Sequence, residues 1–99
     1  MTKEDRQQYK LALKTWNNSC AICGMNTVEL HHIIYRSHGG KNVKENIIPL
    51  CRLHHMLVHS NEKYWVDNLL DLQRSKYGII NKEYLKKHNK WEVTNERTI

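Results

Sequence analysis

The first apolar pattern along the chain predicts an amphipathic helix over residues 3–16. Its apolar positions recur three or four residues apart, at Tyr9, Ala12, Leu13 and Trp16. Thr2 and Asp5 stand at the start of this segment with the spacing of a capping box, with Asp in place of the usual Glu or Gln. We therefore expect a helix that begins near residue 3 and packs its apolar side against the core.

In the middle of the chain the pattern changes from helical to extended. Residues 28–34 are β-branched and apolar enough for a strand, and residues 47–50 predict a short second strand that Pro49 confines to an edge or a strand end. The polar segment 36–46 between them is too long for a tight hairpin turn and contains two adjacent glycines. It is therefore predicted to be a functional loop.

Helical patterns return after the second strand. They predict helices over residues 52–60, 62–77 and 82–90, the last of which carries several lysines. Asn61 can cap the second of these helices, and Gly78 can end it. Helices on both sides of a strand pair predict a small α+β fold.

Composition places these elements in a single domain over residues 1–99. The chain has 39 % hydrophobic and 26 % charged residues, which is ordinary for a globular protein and too apolar for a disordered segment. No apolar stretch reaches the roughly 18 residues of a membrane span, and the first residues lack the apolar core of a secretory signal. We expect a cytoplasmic protein without membrane contact. Its net charge of +6 favours a polyanionic partner such as nucleic acid.

The cysteines are grouped in the way that a metal site requires. Cys20 and Cys23 form a C-x-x-C pair, and Cys51 and His54 form a C-x-x-H pair. Two such pairs predict a tetrahedral Cys3His zinc site. An odd number of cysteines without a secretory signal argues against a disulfide framework and for a reducing compartment. Zinc would also supply folding energy that so short a chain does not obtain from its core.

Five of the seven histidines fall into two clusters, which predict a second metal site. His55 and His59 are four residues apart on a predicted helix, so their rings share one face and can hold one ion. His54 points about 100° away from His55 and is better placed to join the cysteines. His31 and His32 are neighbours on a predicted strand and point to opposite faces. One of them can bind a metal while the other stays free as a base.

Taken in order, these segments resemble the HNH endonuclease family, the ββα-metal nucleases. The resemblance spans residues 20–59 and is carried by CAIC from residue 20, LHHII from residue 30, RSHGG from residue 36, ENIIPLC from residue 45 and HHMLVH from residue 54. It implies a small ββα-metal core, also called a His-Me finger, that is braced by the Cys3His zinc site and flanked by helices at both ends. The pattern is most similar to phage and mobile-element members.

The resemblance also implies a role for each residue of the second site. His31 matches the first metal ligand, and His32 matches the general base that activates water. Asn46 matches the middle Asn of the family, which either binds the metal or pins the loop that holds the base. His55 matches the final histidine of the motif as a metal ligand, and His59 matches an additional helical ligand of some members.

The zinc quartet departs from the commonest family pattern at one position. Cys20, Cys23 and Cys51 match structural ligands, but the fourth ligand is His54 where most members have a cysteine. Zinc accepts a Cys3His set, so the site itself is not in question. Because His54 and His55 are adjacent, however, the two could exchange roles.

The reaction implied is metal-dependent hydrolysis of DNA phosphodiester bonds, by nicking or by double-strand cleavage. The implied cofactors are a structural Zn²⁺ and a catalytic Mg²⁺, Mn²⁺ or Ni²⁺. Four residues of the loop between the strands are predicted to contact DNA phosphates, namely Arg36, His38, Lys41 and Lys44.

The main alternative is a zinc-braced DNA-binding or adaptor module without catalysis. It accounts for the cysteines and the charge, but not for the additional histidines and Asn46. A secreted toxin-type nuclease is less favoured, because such domains usually lack the zinc cysteines. Since 99 residues leave little room for a module that reads sequence, specificity is expected to come from a partner protein or from self-association.

Overall fold

An antiparallel pair of strands followed directly by a helix forms the centre of the fold. The structure is a computed structural model, and it describes residues 2–86. Strand β1 (Glu29–His32) pairs with strand β2 (Ile47–Leu50), and helix α2 (Arg52–Ser60) begins two residues after β2 ends. The register sets Glu29 opposite Leu50 and His32 opposite Ile47. This is the α+β, ββα-metal architecture expected from the sequence.

Two longer helices flank this unit. Helix α1 (Lys3–Thr15) packs against β2 and the turn before it, and helix α3 (Glu62–Tyr77) packs against α2. The predicted capping box is confirmed, because Thr2 Oγ1 accepts a hydrogen bond from the Asp5 N–H at 3.1 Å and Asp5 Oδ2 accepts one from the Thr2 N–H at 3.4 Å. No helix within residues 2–86 has both the length and the apolar character needed to cross a membrane.

The core lies between β2, α2 and α3. All four residues of β2 are buried, whereas β1 is buried only at His31. The apolar side chains that pack together include two of the predicted zinc ligands, and the most completely buried aliphatic members are Ile48, Leu50, Val58, Leu69, Leu70 and Leu85. The thiolate site is therefore built into the core.

The predicted strand over residues 28–34 is shorter in the structure, and a side chain causes its early end. The N–H of Ile34 donates to Asn46 Oδ1 at 2.8 Å, and the Ile34 carbonyl accepts from Asn46 Nδ2 at 3.0 Å. The same Nδ2 donates to the Lys41 carbonyl at 3.0 Å. Asn46 is fully buried, so its amide replaces a strand partner at the neck of the 36–46 loop.

A buried glutamine ties α3 to the rest of the fold. Gln73 Nε2 donates to the carbonyls of Glu45 and Ile47, each at 3.0 Å, and to that of Lys44 at 3.3 Å. Its Oε1 accepts from the indole N–H of Trp16 at 2.8 Å. One side chain thus joins α3, the end of α1 and the start of β2.

The helix predicted over residues 82–90 is wrong in the part that the structure describes, which ends at Lys86. That part is a turn with an isolated bridge between Lys86 and Gly40. The carbonyl of Leu85 accepts from the Lys41 N–H at 2.8 Å. A backbone carbonyl that would form a hydrogen bond within a helix is thus bonded to the 36–46 loop. Residues 87–90 of the predicted helix lie outside the described residues.

Replacing the buried amide of Gln73 is expected to destabilise the fold. Gln73→Leu keeps the side-chain volume but leaves the Trp16 N–H and several carbonyls without their partner, so the free energy of unfolding should fall by about 2 to 4 kcal/mol. Urea unfolding at a fixed zinc concentration measures this change. Gln7→Leu, on the exposed side of α1, is the matched control and should change stability by less than about 0.5 kcal/mol. Equal losses in both variants would contradict the assigned role.

Candidate active site

Three cysteines and one histidine converge where the turn after α1 meets the junction of β2 and α2. The donor atoms of Cys20, Cys23, Cys51 and His54 all lie within 4.8 Å of one another. Cys51 Sγ is 3.7 Å from Cys23 Sγ and 3.2 Å from His54 Nδ1. Two thiolates on a tetrahedral zinc would be about 3.8 Å apart, given Zn–S distances of about 2.3 Å. The spacing of the donors therefore fits a structural zinc ion.

Backbone hydrogen bonds shape the turn that presents the first two cysteines. The N–H of Cys20 donates to the Met25 carbonyl and the N–H of Gly24 donates to the Cys20 carbonyl, both at 2.8 Å. Gly24 has a φ of 82°, a conformation that glycine adopts without strain. The N–H of Ala21 donates to the Pro49 carbonyl at 3.0 Å, which fixes the turn against β2.

The electrostatics of Cys20 favour a metal-binding thiolate. Burial opposes ionisation of this side chain, but backbone hydrogen bonds, that from Cys51 foremost, outweigh it and lower the pKa of the Cys20 thiol to about 6. The thiolate is the form that binds metal. Cys20 can therefore bind zinc at neutral pH without a large cost for losing its proton.

A second group consists of imidazoles alone and lies on the other side of α2. His31 comes from β1, and His55 and His59 come from successive turns of α2; their donor atoms also lie within 4.8 Å of one another. The Nε2 atoms of His55 and His59 are 3.1 Å apart. The structure thus places His54 with the cysteines and His55 with the other imidazoles.

His31 sits deepest in this group. It is 4 % exposed, and its ring centroid is 5.1 Å from that of His55 and 5.3 Å from that of His59. Burial, together with the positive charge that neighbouring histidines can carry, lowers the pKa of His31 to about 3. The ring is therefore neutral at physiological pH and has a lone pair available for a metal ion.

Two residues that the sequence reasoning missed hold the outer nitrogens of these rings. Glu29 Oε1 lies 2.7 Å from His55 Nδ1, and the oxygen of Tyr35 lies 2.8 Å from His59 Nδ1. The hydrogen bond to His55 lowers the pKa of Glu29, so this residue is a carboxylate. A signal for Glu29 was present, because it stands two positions before His31 and thus on the same face of the strand.

These contacts prepare the inner nitrogens for a cation. When Nδ1–H of His55 donates to Glu29 and Nδ1–H of His59 donates to Tyr35, both Nε2 atoms present lone pairs toward the same point. Metal-binding histidines commonly have a carboxylate or another acceptor on the second nitrogen in this way. Two lone pairs 3.1 Å apart repel each other unless a cation or a proton lies between them. The donor set therefore fits a divalent metal ion.

His32 faces the same cleft but lies outside the imidazole group. Its Nε2 is 2.7 Å from Asn42 Oδ1, and the hydroxyl of Tyr9 donates to that oxygen at 3.3 Å. The cleft has a volume of about 190 Å³. Its lining residues are Leu30, His31, His32, Tyr35, Arg36, His55 and His59.

The contacts of Asn46 bear on the two roles considered for it. Its oxygen accepts from the Ile34 N–H, and its nitrogen donates to the carbonyls of Ile34 and Lys41. These bonds use the amide to hold the loop between the strands. They support the loop-pinning role and provide no support for metal binding by Asn46.

The four loop residues predicted to contact DNA lie in different surroundings. Arg36 lines the cleft, and His38 stacks beside it on Tyr35 with ring centroids 5.8 Å apart. The ammonium of Lys41 lies 4.8 Å from the centre of the Tyr84 ring. Lys44 pairs with its neighbour Glu45 at 3.1 Å. The structure brings Arg36 to the imidazoles and leaves the two lysines outside the lining of the cleft.

A ββα unit with a thiolate-rich site on one side of its helix and an imidazole cluster on the other defines a metal-binding protein of the ββα type. Residues 20–61 match the family model described as HNH endonuclease. The match confirms the resemblance drawn from the sequence and covers both groups of donors.

The chain is also similar to a curated protein, the uncharacterized protein YdfU of Escherichia coli (strain K12). The two are 36 % identical over 59 residues, which make up 57 % of this chain and 16 % of that relative. The chain thus spans a small part of the length of this relative. No solved structure matches the chain.

The two adjacent histidines of α2 are expected to respond differently to replacement. His54→Ala should weaken zinc binding at least about tenfold and lower the urea midpoint, because it removes a donor from a group whose Cys20 and Cys51 are buried in the core. His55→Ala should keep one tightly bound zinc and the parental midpoint. Zinc per chain after dialysis against a weak chelator, together with urea unfolding, measures both effects. Retention of zinc by His54→Ala and loss of zinc by His55→Ala would mean that the two histidines have exchanged roles.

Proposed function

We propose that this domain is a metal-dependent DNA endonuclease. The observation that carries the proposal is the shared cleft, in which three imidazoles able to hold one ion and a separate imidazole, His32, face the same space of about 190 Å³. The family match over residues 20–61 supports a nuclease function in general. The reaction proposed is hydrolysis of a phosphodiester bond by an activated water molecule.

The proposed division of labour assigns His31, His55 and His59 to the ion. A divalent ion, when bound, supplies positive charge that stabilises the phosphate and the leaving 3′-oxygen as negative charge builds up. The neutral state of His31 leaves its lone pair available, and the contacts of Glu29 and Tyr35 with the outer nitrogens direct the Nε2 atoms of His55 and His59 toward the ion. Imidazole favours transition metals, so Mn²⁺ and Ni²⁺ are candidates beside Mg²⁺.

His32 is proposed as the general base. Asn42 Oδ1 is an acceptor, so Nε2 of His32 carries the proton in the bond between them. Nδ1 then has the free lone pair and can take a proton from water. A positioned general base typically contributes a factor of about 10² to 10⁴ in rate.

We propose that Arg36 makes the main contact that positions the DNA substrate. Its position in the lining of the cleft would let the guanidinium form paired hydrogen bonds with a phosphate next to the scissile bond. His38, Lys41 and Lys44 would contact phosphates further along the strand. Contacts of this kind confer affinity without reading the base sequence.

Supercoiled plasmid distinguishes hydrolysis from simple binding. The zinc-loaded protein is incubated with plasmid in metal-free buffer and then with added Mg²⁺, Mn²⁺ or Ni²⁺, and the products are separated on a gel. Nicked or linear DNA that forms only with an added ion supports the endonuclease. Plasmid that is retarded but intact with every ion would instead support the non-catalytic binding module.

Replacing the proposed base should separate catalysis from binding. His32→Ala is expected to lower the cleavage rate by about 10² to 10⁴-fold, because water then lacks a proton acceptor. Plasmid retardation and zinc content should stay at the level of the parent. Asn68→Ala, on the exposed side of α3, serves as the control with parental activity. Cleavage by His32→Ala at the parental rate would refute the assignment of the base.

A further inference from the structure

Asn42 lies outside both groups of candidate metal donors. It lies in the loop between β1 and β2, and its Oδ1 accepts two hydrogen bonds, from His32 Nε2 at 2.7 Å and from the Tyr9 hydroxyl at 3.3 Å. Tyr9 belongs to α1, outside the ββα unit. The ring of Tyr9 also meets that of His32 edge to face, with centroids 6.1 Å apart and planes at 88°.

We propose that Asn42, braced by Tyr9, is a positioning residue that holds His32 in the tautomer with the proton on Nε2 and directs Nδ1 toward the cleft. This inference rests on the proposed endonuclease function. It gives α1 a role in the reaction in addition to its packing against β2.

The physical reason is that a neutral imidazole has one donor and one acceptor nitrogen, and these can exchange. A fixed acceptor on Nε2 stabilises one tautomer, and the edge-to-face contact with Tyr9 restricts rotation of the ring. The second hydrogen bond to Oδ1 restrains the amide in turn, because it comes from a helix that packs on β2. Small displacements of a reacting group can lower a rate by as much as about 10²-fold.

Two substitutions of Asn42 test this role. Asn42→Leu keeps the size but removes the acceptor, so kcat should fall about 10- to 100-fold while KM stays within about twofold. Asn42→Asp keeps an oxygen in the same place and should recover most of that loss. Zinc content and urea midpoint, measured on both variants, should match those of the parent.

The ¹⁵N resonances of the His32 ring provide a readout that does not depend on activity. The parent and Asn42→Asp should show a protonated Nε2, whereas Asn42→Leu should show a mixture of tautomers. An unchanged His32 signature or an unchanged kcat in Asn42→Leu would overturn the proposal. If the parent cleaves no DNA but the ¹⁵N signatures behave as expected, the positioning stands and the endonuclease function fails.

An independent observation concerns the outer face of α1. Four cations recur at helical spacing on this helix, namely Lys3, Arg6, Lys10 and Lys14. At 100° per residue they occupy roughly 80° of the helix circumference. All four are exposed, and none forms an ion pair with any residue of the described range 2–86.

Repulsion between the clustered positive charges destabilises α1, and a bound polyanion would offset that repulsion. Arg6 and Lys10, and likewise Lys10 and Lys14, are four residues apart, where like charges destabilise a helix. Lys3 and Arg6 also stand near the helix N-terminus, where the macrodipole favours anions. The same helix contacts Asn42 beside the cleft through Tyr9. We infer that the basic face of α1 binds the phosphate backbone of a DNA duplex that enters the cleft.

The salt dependence of DNA affinity tests this surface. In the His32→Ala background and without an added divalent ion, so that the probe stays intact, affinity for a 25-base-pair duplex is measured across a salt series. Lys10→Gln/Lys14→Gln should reduce the slope of log K against log salt by about 2, since each phosphate contact contributes about 0.9. The double variant Lys63→Gln/Lys76→Gln removes the same charge from α3 and should leave the slope within about 0.5 of the parent.

Equal slopes in the two double variants would overturn the inference about α1. That result, together with cleavage by the parent, would leave the endonuclease proposal intact. Absence of duplex binding by the parent would overturn both.

Discussion

The thiolate cluster around Cys51 is the constraint on which the candidate site depends. Cys51 follows β2 and stands at the N-terminal end of α2, so its contacts with His54 and Cys23 fix where the helix starts and how it is rotated. Because successive helical residues turn by about 100°, holding His54 toward the thiolates directs His55 and His59 to the opposite side, over β1. The cysteine–histidine group thereby determines the geometry of the imidazoles.

Hydrogen bonds from neighbouring side chains orient the histidine rings of the cleft. Glu29 holds His55, Tyr35 holds His59, and Asn42 holds His32, each through a single hydrogen bond of 2.7 or 2.8 Å. Burial and the nearby Glu62 raise the pKa of Tyr35 to about 12, so its phenol remains protonated and serves only as a hydrogen-bonding group. Every imidazole that lines the cleft except His31 is thus oriented by a different neighbour.

Two predictions from the sequence were wrong for the same physical reason, namely that backbone groups form hydrogen bonds with partners distant along the chain. The strand predicted to reach residue 34 ends early because the Asn46 amide takes the backbone groups of Ile34. The turn that ends at Lys86 replaces a predicted helix because its backbone bonds to the loop near Gly40. Local periodicity contains no information about such partners, whereas it located α2 and α3 to the residue because their apolar faces repeat at the helical period.

The sequence by itself identified the cysteines and histidines that can act as metal donors and the resemblance to the HNH endonuclease family, because ligand spacing and helical phase are local properties of the chain. Only the tertiary structure decided that His54 joins the cysteines and His55 the imidazoles, since that choice depends on the rotation of α2 against the hairpin. It alone also revealed Tyr35 and Asn42 as partners of the histidines. These contacts join residues 10 and 24 positions apart, and no spacing rule connects such residues before the chain folds.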